Sequence, residues 1–473
     1  MARILLRSGK DPFTPIPPEN ALANYRRGVF GRNVGNFVFT DAVHRIISTP
    51  DTDVVSNSYL SERPGVTRHY IERINDEFDA FVIPLANAFR PKFLDNLRRL
   101  TKVIEGLRIP TVVVGVGVAG GVGSLDNPLP TDSPELTSAV QRFVNAVLER
   151  SGSIGVRGEF TRDYLAQLGY GDEHVDVVGC PSLFRDGDGL RIEKRAAQIT
   201  ADSEFTINIS PYVRAMQNIG QRHAEKYGRM IYIPQDDTAL ELLLWGNDPE
   251  PVGSLRLPQH TGHVLYQENR IRFFVDTVTW MQFLARQDFS FGTRIHGNIV
   301  ALSAGTPAHV LAHDARTLEL ARYHDIPHTL VPDLPENVDA ADLYAESDYT
   351  AFNAGHARRF RVFADFLERN GVHHVFEPGL ANPEYDARLA AVDFPPPVQN
   401  LLSTDDEYRQ VIAERVAKLY DVAGPKAVRR TYTPEYPFPL SRSLDLRSPT
   451  PEATARRDQL RGARDRVRGL FRR

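Results

Sequence analysis

The segment Phe291-Gly-Thr-Arg-Ile-His-Gly-Asn298 sets an arginine and a histidine two residues apart. Asp288 to Gly292 reads as a short strand and Ile295 to Ser303 as a helix, so Arg294 and His296 stand at a helix mouth. A helix N-terminus offers unpaired N–H groups and a partial positive charge. Arg294 adds a planar donor fork suited to a carboxylate or a phosphate. His296 can exchange a proton near neutral pH. Together they describe an anion site with a proton donor. The same residues also fit a structural role, with Arg294 on a carboxylate and His296 as a cap.

A second candidate is Gly31-Arg-Asn-Val-Gly-Asn36, a turn entering a helix that carries Val38, Phe39, Val43, Ile46 and Ile47. Asn33, Gly35 and Asn36 could face a phosphate there, or form a plain strand-to-helix turn. The spacing is neither a dinucleotide fingerprint nor a Walker loop. A third is Arg157, leaving the strand Ile154-Gly-Val just before a helix, either as a binding cation or as a surface arginine. Val114 to Gly121 ends a buried strand in glycines that permit close backbone approach to a ligand or another strand. Other features carry less. Cys180 reads as a buried, inert thiol. His373-His374 lacks carboxylate or cysteine partners at metal spacing. Asp51-Thr-Asp53, Asp186-Gly-Asp188 and Asp236-Asp237 sit in turn-forming contexts.

These positions need a scaffold, and strand and helix patterns alternate to supply one. Strands are expected at Asp79 to Leu85, Thr111 to Val118, Ser153 to Val156 and Val175 to Val178. Helices are expected at Pro91 to Leu107, Ser133 to Glu149 and Phe160 to Leu168. The polar stretch Arg185 to Glu204 looks like an interdomain crossing. The alternation restarts with strands at Phe205 to Ile209 and Met230 to Ile233, a helix at Ile271 to Arg286, the strand–helix pair around Arg294, a strand at Ala308 to Leu311 and a long helix at Tyr349 to Arg369. This predicts an α/β chain with two doubly wound, Rossmann-like domains facing across a cleft. Expected bounds are 1–190 and 191–371. Residues 372–473 form a partly ordered Pro/Arg-rich extension with one amphipathic helix, Thr404 to Tyr420.

Composition narrows the function. The 473 residues hold 56 Lys and Arg against 60 Asp and Glu, a net charge of −4. Such a chain has no global field for nucleic acid, so an anion site must be local. One cysteine excludes an internal disulfide framework and fits a cytoplasmic setting. Met1 to Arg7 is too short for a signal-peptide core, and no run could span a bilayer. Arg456 to Arg473 holds eight arginines and two aspartates, a local +6, beside Leu460, Val467, Leu470 and Phe471. That basic tail could make weak contact with a membrane surface, at the inner face.

Thr293-Arg-Ile-His-Gly297, with Ala301-Leu302 and Gly305-Thr-Pro307 downstream, resembles the Arg-X-His-Gly signature of the polysaccharide pyruvyl transferase family. Val156-Arg157 with Thr161 and Leu165 to Gly169 is similar to that family's strand–helix turn, and Asn33-Val-Gly35 to its Asn-X-Gly-Asp start. The likeness runs from about Gly28 to Gly371. Two positions depart from it: Asn36 stands where the family usually has Asp, and Cys180-Pro181 where Asp-Pro is common. The resemblance implies a fold like the two-domain glycosyltransferase B type. It implies transfer of a pyruvyl group from phosphoenolpyruvate to a sugar or glycan acceptor, giving a pyruvate ketal. It casts His296 and Arg294 as catalytic, and Arg157, Arg294, Thr293 and Gly297 as donor-binding. It puts the acceptor on the first domain and the donor on the second, with no metal or other cofactor. A nucleotide-sugar glycosyltransferase and a non-catalytic carbohydrate-binding relative are the competing expectations.

Overall fold

A computed structural model describes residues 1–26, 30–31, 33–122, 133–248 and 256–421. The first half is a parallel sheet of β1 (Ala2–Leu6), β2 (Thr52–Ser56), β3 (Ala80–Pro84) and β4 (Thr111–Val114), in the order β2-β1-β3-β4. Beyond β4 lie β5 (Ile154–Val156) and β6 (Val175–Val177), a parallel pair joined to the sheet by a bridge from Val116 to Val156. All five residues of β3 are buried, as a strand covered on both faces requires. Leu5 pairs with both Val55 and Phe81, so β1 lies inside the sheet. No strand is expected at the N-terminal Ile4-Leu5-Leu6 from sequence alone. Three apolar residues show no period of their own, and tertiary pairing decides their state.

The second half is also parallel. It contains β7 (Phe205–Asn208), β8 (Ile231–Tyr232), β9 (Phe289–Gly292), β10 (Ala308–Ala312) and β11 (His328–Leu330), in the order β11-β10-β9-β7-β8. The α/β class with two doubly wound halves is therefore the observed fold. Residues 185–204 carry the chain from one sheet to the other without a helix or strand.

Local sequence accounts for most boundaries. Ser133 accepts the Leu136 N–H at the head of helix Pro134–Leu148, and Gly169, at φ +98°, follows helix Glu159–Gln167. The expected helix from Ile271 to Arg286 needs correction, because only Thr277–Leu284 is helical. The Asp276 side chain accepts the Thr279 N–H and starts the helix there. Ile271 and Phe273 instead bridge to Tyr232 and Val398. The apolar residues Ile271, Phe273, Phe274 and Val275 merge in sequence with the helical stripe that follows them, although they are not helical.

Two helices tie the halves together. Helix Gly35–Ile47 turns Val43, Ile46 and Ile47 toward the first sheet, and Phe37, Val38 and Phe39 toward the core of the second half. Helix Thr350–Arg369 crosses back, and its Phe360, Phe363, Phe366 and Leu367 pack with Ile4, Leu6, Val112 and Val114. In the extension, helices Pro383–Ala390 and Asp406–Asp421 are present, and Asp386 pairs with Arg45 at 2.9 Å. The basic tail from Arg456 and the proline series from Pro434 lie outside the described residues.

Candidate functional site

The strands of both sheets end toward a tight, narrow cleft lined by Phe39, Leu85, Gly115, Arg157, Gly179, Cys180, His296 and Leu320, among others. Two sequence candidates from different halves, Arg157 and His296, thus meet. Arg157 leaves β5 with its backbone N–H on the Val116 carbonyl, 3.0 Å away. Its guanidinium lies flat against Gly117, where a Cβ would fall 2.0 Å from Nε. The side chain is buried and its Nε makes no hydrogen bond. Burial lowers its pKa to about 10, so it stays charged at neutral pH.

His296 sits in the first turn of helix Ile295–Ser303. Its ring packs on Phe39 at 5.4 Å, and its Cβ abuts Gly35, where a side chain would come within 2.9 Å. Two helix N-termini, at Gly35 and Ile295, therefore converge on the histidine. Desolvation, aided by the charges of Arg316 and Arg157, lowers the His296 pKa to about 3. The imidazole is neutral near pH 7 while no anion occupies the cleft.

Arg294 behaves differently from His296. Its Nη2 donates to Asp236 Oδ2 at 2.8 Å, and it is not among the residues lining the cleft. Its Nε is buried with no hydrogen bond. The carboxylate-paired role is thus the one present, and Asp236 also caps helix Asp237–Trp245 through the Ala239 N–H. Thr293 is structural in its contacts: its Oγ1 accepts the Ser210 N–H at 2.7 Å, and its N–H goes to the Asn208 carbonyl at 2.9 Å. Gly297 packs against Asn208 and Gln235 with no room for a side chain.

In the Asn33 turn, Asn33 Oδ1 accepts the Gly35 N–H at 2.8 Å. Asn36 Nδ2 donates to the Phe30 and Gly31 carbonyls, each at 3.1 Å. An aspartate cannot make those two bonds, so the departure at Asn36 is explained by a turn that needs a donor. Cys180 lines the cleft. Its N–H donates to His324 Nε2 at 2.9 Å, and burial raises its thiol pKa, which keeps the sulfur protonated.

Sequence reasoning missed the contribution of helix Ala315–Tyr323. Arg316 supports the cationic field around both His296 and Arg157, and its Nε is buried without a hydrogen bond. Glu319 is buried opposite Arg157. The signal was present: His313-Asp-Ala-Arg316 follows β10 as Arg294 follows β9, and an Asp314–Thr317 capping box marks the helix start. The dismissal of His373-His374 for want of carboxylates also needs correction. His374 Nε2 lies 3.2 Å from Glu368, and His373 Nδ1 lies 3.0 Å from Glu377. Helix and loop bring them together, so each ring has a carboxylate partner.

The polysaccharide pyruvyl transferase family model matches residues 29–315, more than half of the chain and every residue lining this cleft except Leu320. The chain belongs to the polysaccharide pyruvyl transferase family. That is an enzyme family, and its match ends inside the Arg316 turn. Solved structures similar to this family member include a UDP-N-acetylglucosamine 2-epimerase, 12% identical, with TM-score 0.40 over 78% of this chain and 96% of that one. The Neisseria meningitidis UDP-GlcNAc 2-epimerase, solved with UDP-GlcNAc, is 11% identical with TM-score 0.35, over 88% of this chain and 100% of its own. A glycosyltransferase of kitacinnamycin is 11% identical with TM-score 0.33, over 78% and 98% respectively. The search of curated proteins gives no match. Among the described residues of this pyruvyl transferase family member, no helix is long and apolar enough to cross a membrane.

Proposed function

We propose that the protein transfers a pyruvyl group from phosphoenolpyruvate to two hydroxyls of a sugar in a glycan, forming a ketal and releasing phosphate. The observation that carries this reading is the buried Arg157 guanidinium, its Nε without a hydrogen bond, beside a neutral His296, with Arg316, paired to Asp314 at 3.3 Å, adding positive charge from the neighbouring helix. A donor with a carboxylate and a phosphate needs fixed cations, and these two arginines come from opposite halves of the chain. The donor is thus held between the halves, with Arg294 supporting the helix mouth from its Asp236 pair.

A multiply charged anion bound beside His296 stabilises the imidazolium against both burial and the arginine charges, so the imidazole takes up a proton as the donor enters. The imidazolium then gives that proton to the enol methylene, which becomes a methyl group. The positive centre left at the adjacent carbon is attacked by one sugar hydroxyl. Departure of phosphate and attack by the second hydroxyl close the ring; of the two hydroxyl protons released, one leaves with the phosphate and the other restores the His296 imidazolium. The scheme calls on no metal or redox group.

The test is to incubate the purified protein with phosphoenolpyruvate and candidate acceptors, measure phosphate release, and seek a pyruvate ketal by mass spectrometry. Thermal stabilisation by phosphoenolpyruvate supports the reading. Stabilisation by a nucleotide sugar alone turns it toward glycosyl transfer, and stabilisation by neither toward a non-catalytic role.

A further inference from the structure

Glu319 projects from helix Ala315–Tyr323 of the second half into the first half, where it is 2% exposed. Its Oε1 accepts the Thr161 N–H at 2.7 Å and its Oε2 the Thr161 hydroxyl at 3.2 Å. Thr161 Oγ1 in turn accepts the Val118 N–H at 3.2 Å. The fit is close: a Cβ on Gly158 would fall 2.4 Å from Glu319 Cγ. One turn earlier, the Ala315 N–H donates to the Gly120 carbonyl at 2.9 Å. Helix Ala315–Tyr323 therefore grips the loop after β4 twice, near Val118 and at Gly120. The same loop contains Gly117, on which the Arg157 guanidinium lies.

We propose that Glu319 is a positioning residue for the donor-anion site, aligning Arg157 by fixing, through Thr161, the loop on which that arginine rests. This rests on the reading of the cleft as a donor site. The carboxylate does not touch the donor; it acts through Thr161, Val118 and Gly117. It also supplies the negative charge facing Arg157. Besides Arg157, Glu159 from the first half acts on Glu319, while Arg316, Cys180 and Asp314 act on Arg157. Burial raises the Glu319 pKa to about 7, against the pull of Arg157 and the Thr161 bonds. The charge opposite Arg157 is therefore lost as pH falls through neutrality, while the hydrogen-bond tie has a neutral equivalent.

The experiment compares wild type, Glu319→Gln, Glu319→Ala and Thr161→Val in the full chain. It measures dissociation constants for phosphoenolpyruvate and for inorganic phosphate, together with hydrogen exchange at the Thr161 and Val118 amides. Gln keeps an acceptor for the Thr161 N–H. It should hold affinity within about threefold at pH 7 and flatten its pH dependence around that value. Ala and Val should weaken binding of both anions by about tenfold or more, with faster exchange at Val118. Unchanged affinity in folded Glu319→Ala and Thr161→Val overturns the proposal. So does a Gln variant as damaged as Ala, because the tie would then not be what matters. If wild type binds phosphate but not phosphoenolpyruvate, the donor reading fails while the phosphate series still judges Glu319. If it binds neither, both fail.

Discussion

The proposed reaction asks His296 to act as an acid, while burial holds its pKa at about 3. The unfolded chain holds this imidazole near its ordinary 6.5, so between pH 6.5 and about 3 the unfolded state binds more protons. His296 therefore stabilises the fold at neutral pH, and that contribution is lost as pH falls through this window. Donor binding should reverse the shift. Calorimetry in buffers of different ionisation enthalpy should show uptake of up to about one proton per bound phosphoenolpyruvate at pH 7. His296→Ala should abolish the uptake and lower turnover roughly 100-fold while the donor still binds. Near-normal turnover in a folded variant would remove His296 from the chemistry. Arg294 calls for a different outcome. Its fork is engaged with Asp236, so Arg294→Lys should lower stability by about 2 kcal/mol, read from a denaturant midpoint. Donor affinity should follow only as the helix mouth loosens.

Gly117 shows how an element sets the chemistry. Its missing side chain is the space that the Arg157 guanidinium fills. Gly117→Ala should leave the sheet intact, since the residue lies beyond β4 in a loop. It should displace Arg157 and weaken donor binding by about tenfold or more, measured beside the thermal midpoint. Equal affinity in this variant would show that Arg157 does not hold the anion. At this scale the sequence was legible where one element carried its own signal. Ile295 to Ser303 was expected with those bounds because an aromatic strand carrying Phe289 and Phe291, a polar turn and an apolar helix follow in order. Arg157 was visible for the same reason. Arg316 and Glu319 were not, because their importance comes from where helix Ala315–Tyr323 docks, across the other half. Asp236, the partner of Arg294, lies 58 positions earlier, a separation that periodicity does not see. The central strand β1 escaped because Ile4-Leu5-Leu6 show no alternation and their state is set by pairing with β2 and β3.

For the molecule as a whole, a net charge of −4 leaves little long-range steering, so the cations of the cleft act locally. The Arg456–Arg473 segment, at a local +6, lies beyond the matched family region. Removing it should leave turnover on a soluble acceptor unchanged and reduce sedimentation with anionic vesicles, an effect that added salt should weaken in the full chain. Lost turnover with unchanged vesicle binding would contradict that expectation.

The return of helix Thr350–Arg369 to the first sheet has a consequence for recombination. The two halves look separable in the linear order, yet one face of the first sheet is completed by Phe360, Phe363, Phe366 and Leu367. A chimera that grafts a foreign second half after residue 190 also replaces that cover. Unless segment 350–371 is retained with its native sheet, Ile4, Leu6, Val112 and Val114 meet an unmatched surface. Paired chimeras differing only in the source of 350–371 should separate cleanly in soluble yield and melting midpoint, the matched one being the more stable. Exchange between relatives is thus constrained to keep the last helix with the first strands, so that the units of inheritance interleave along the chain instead of dividing it in two.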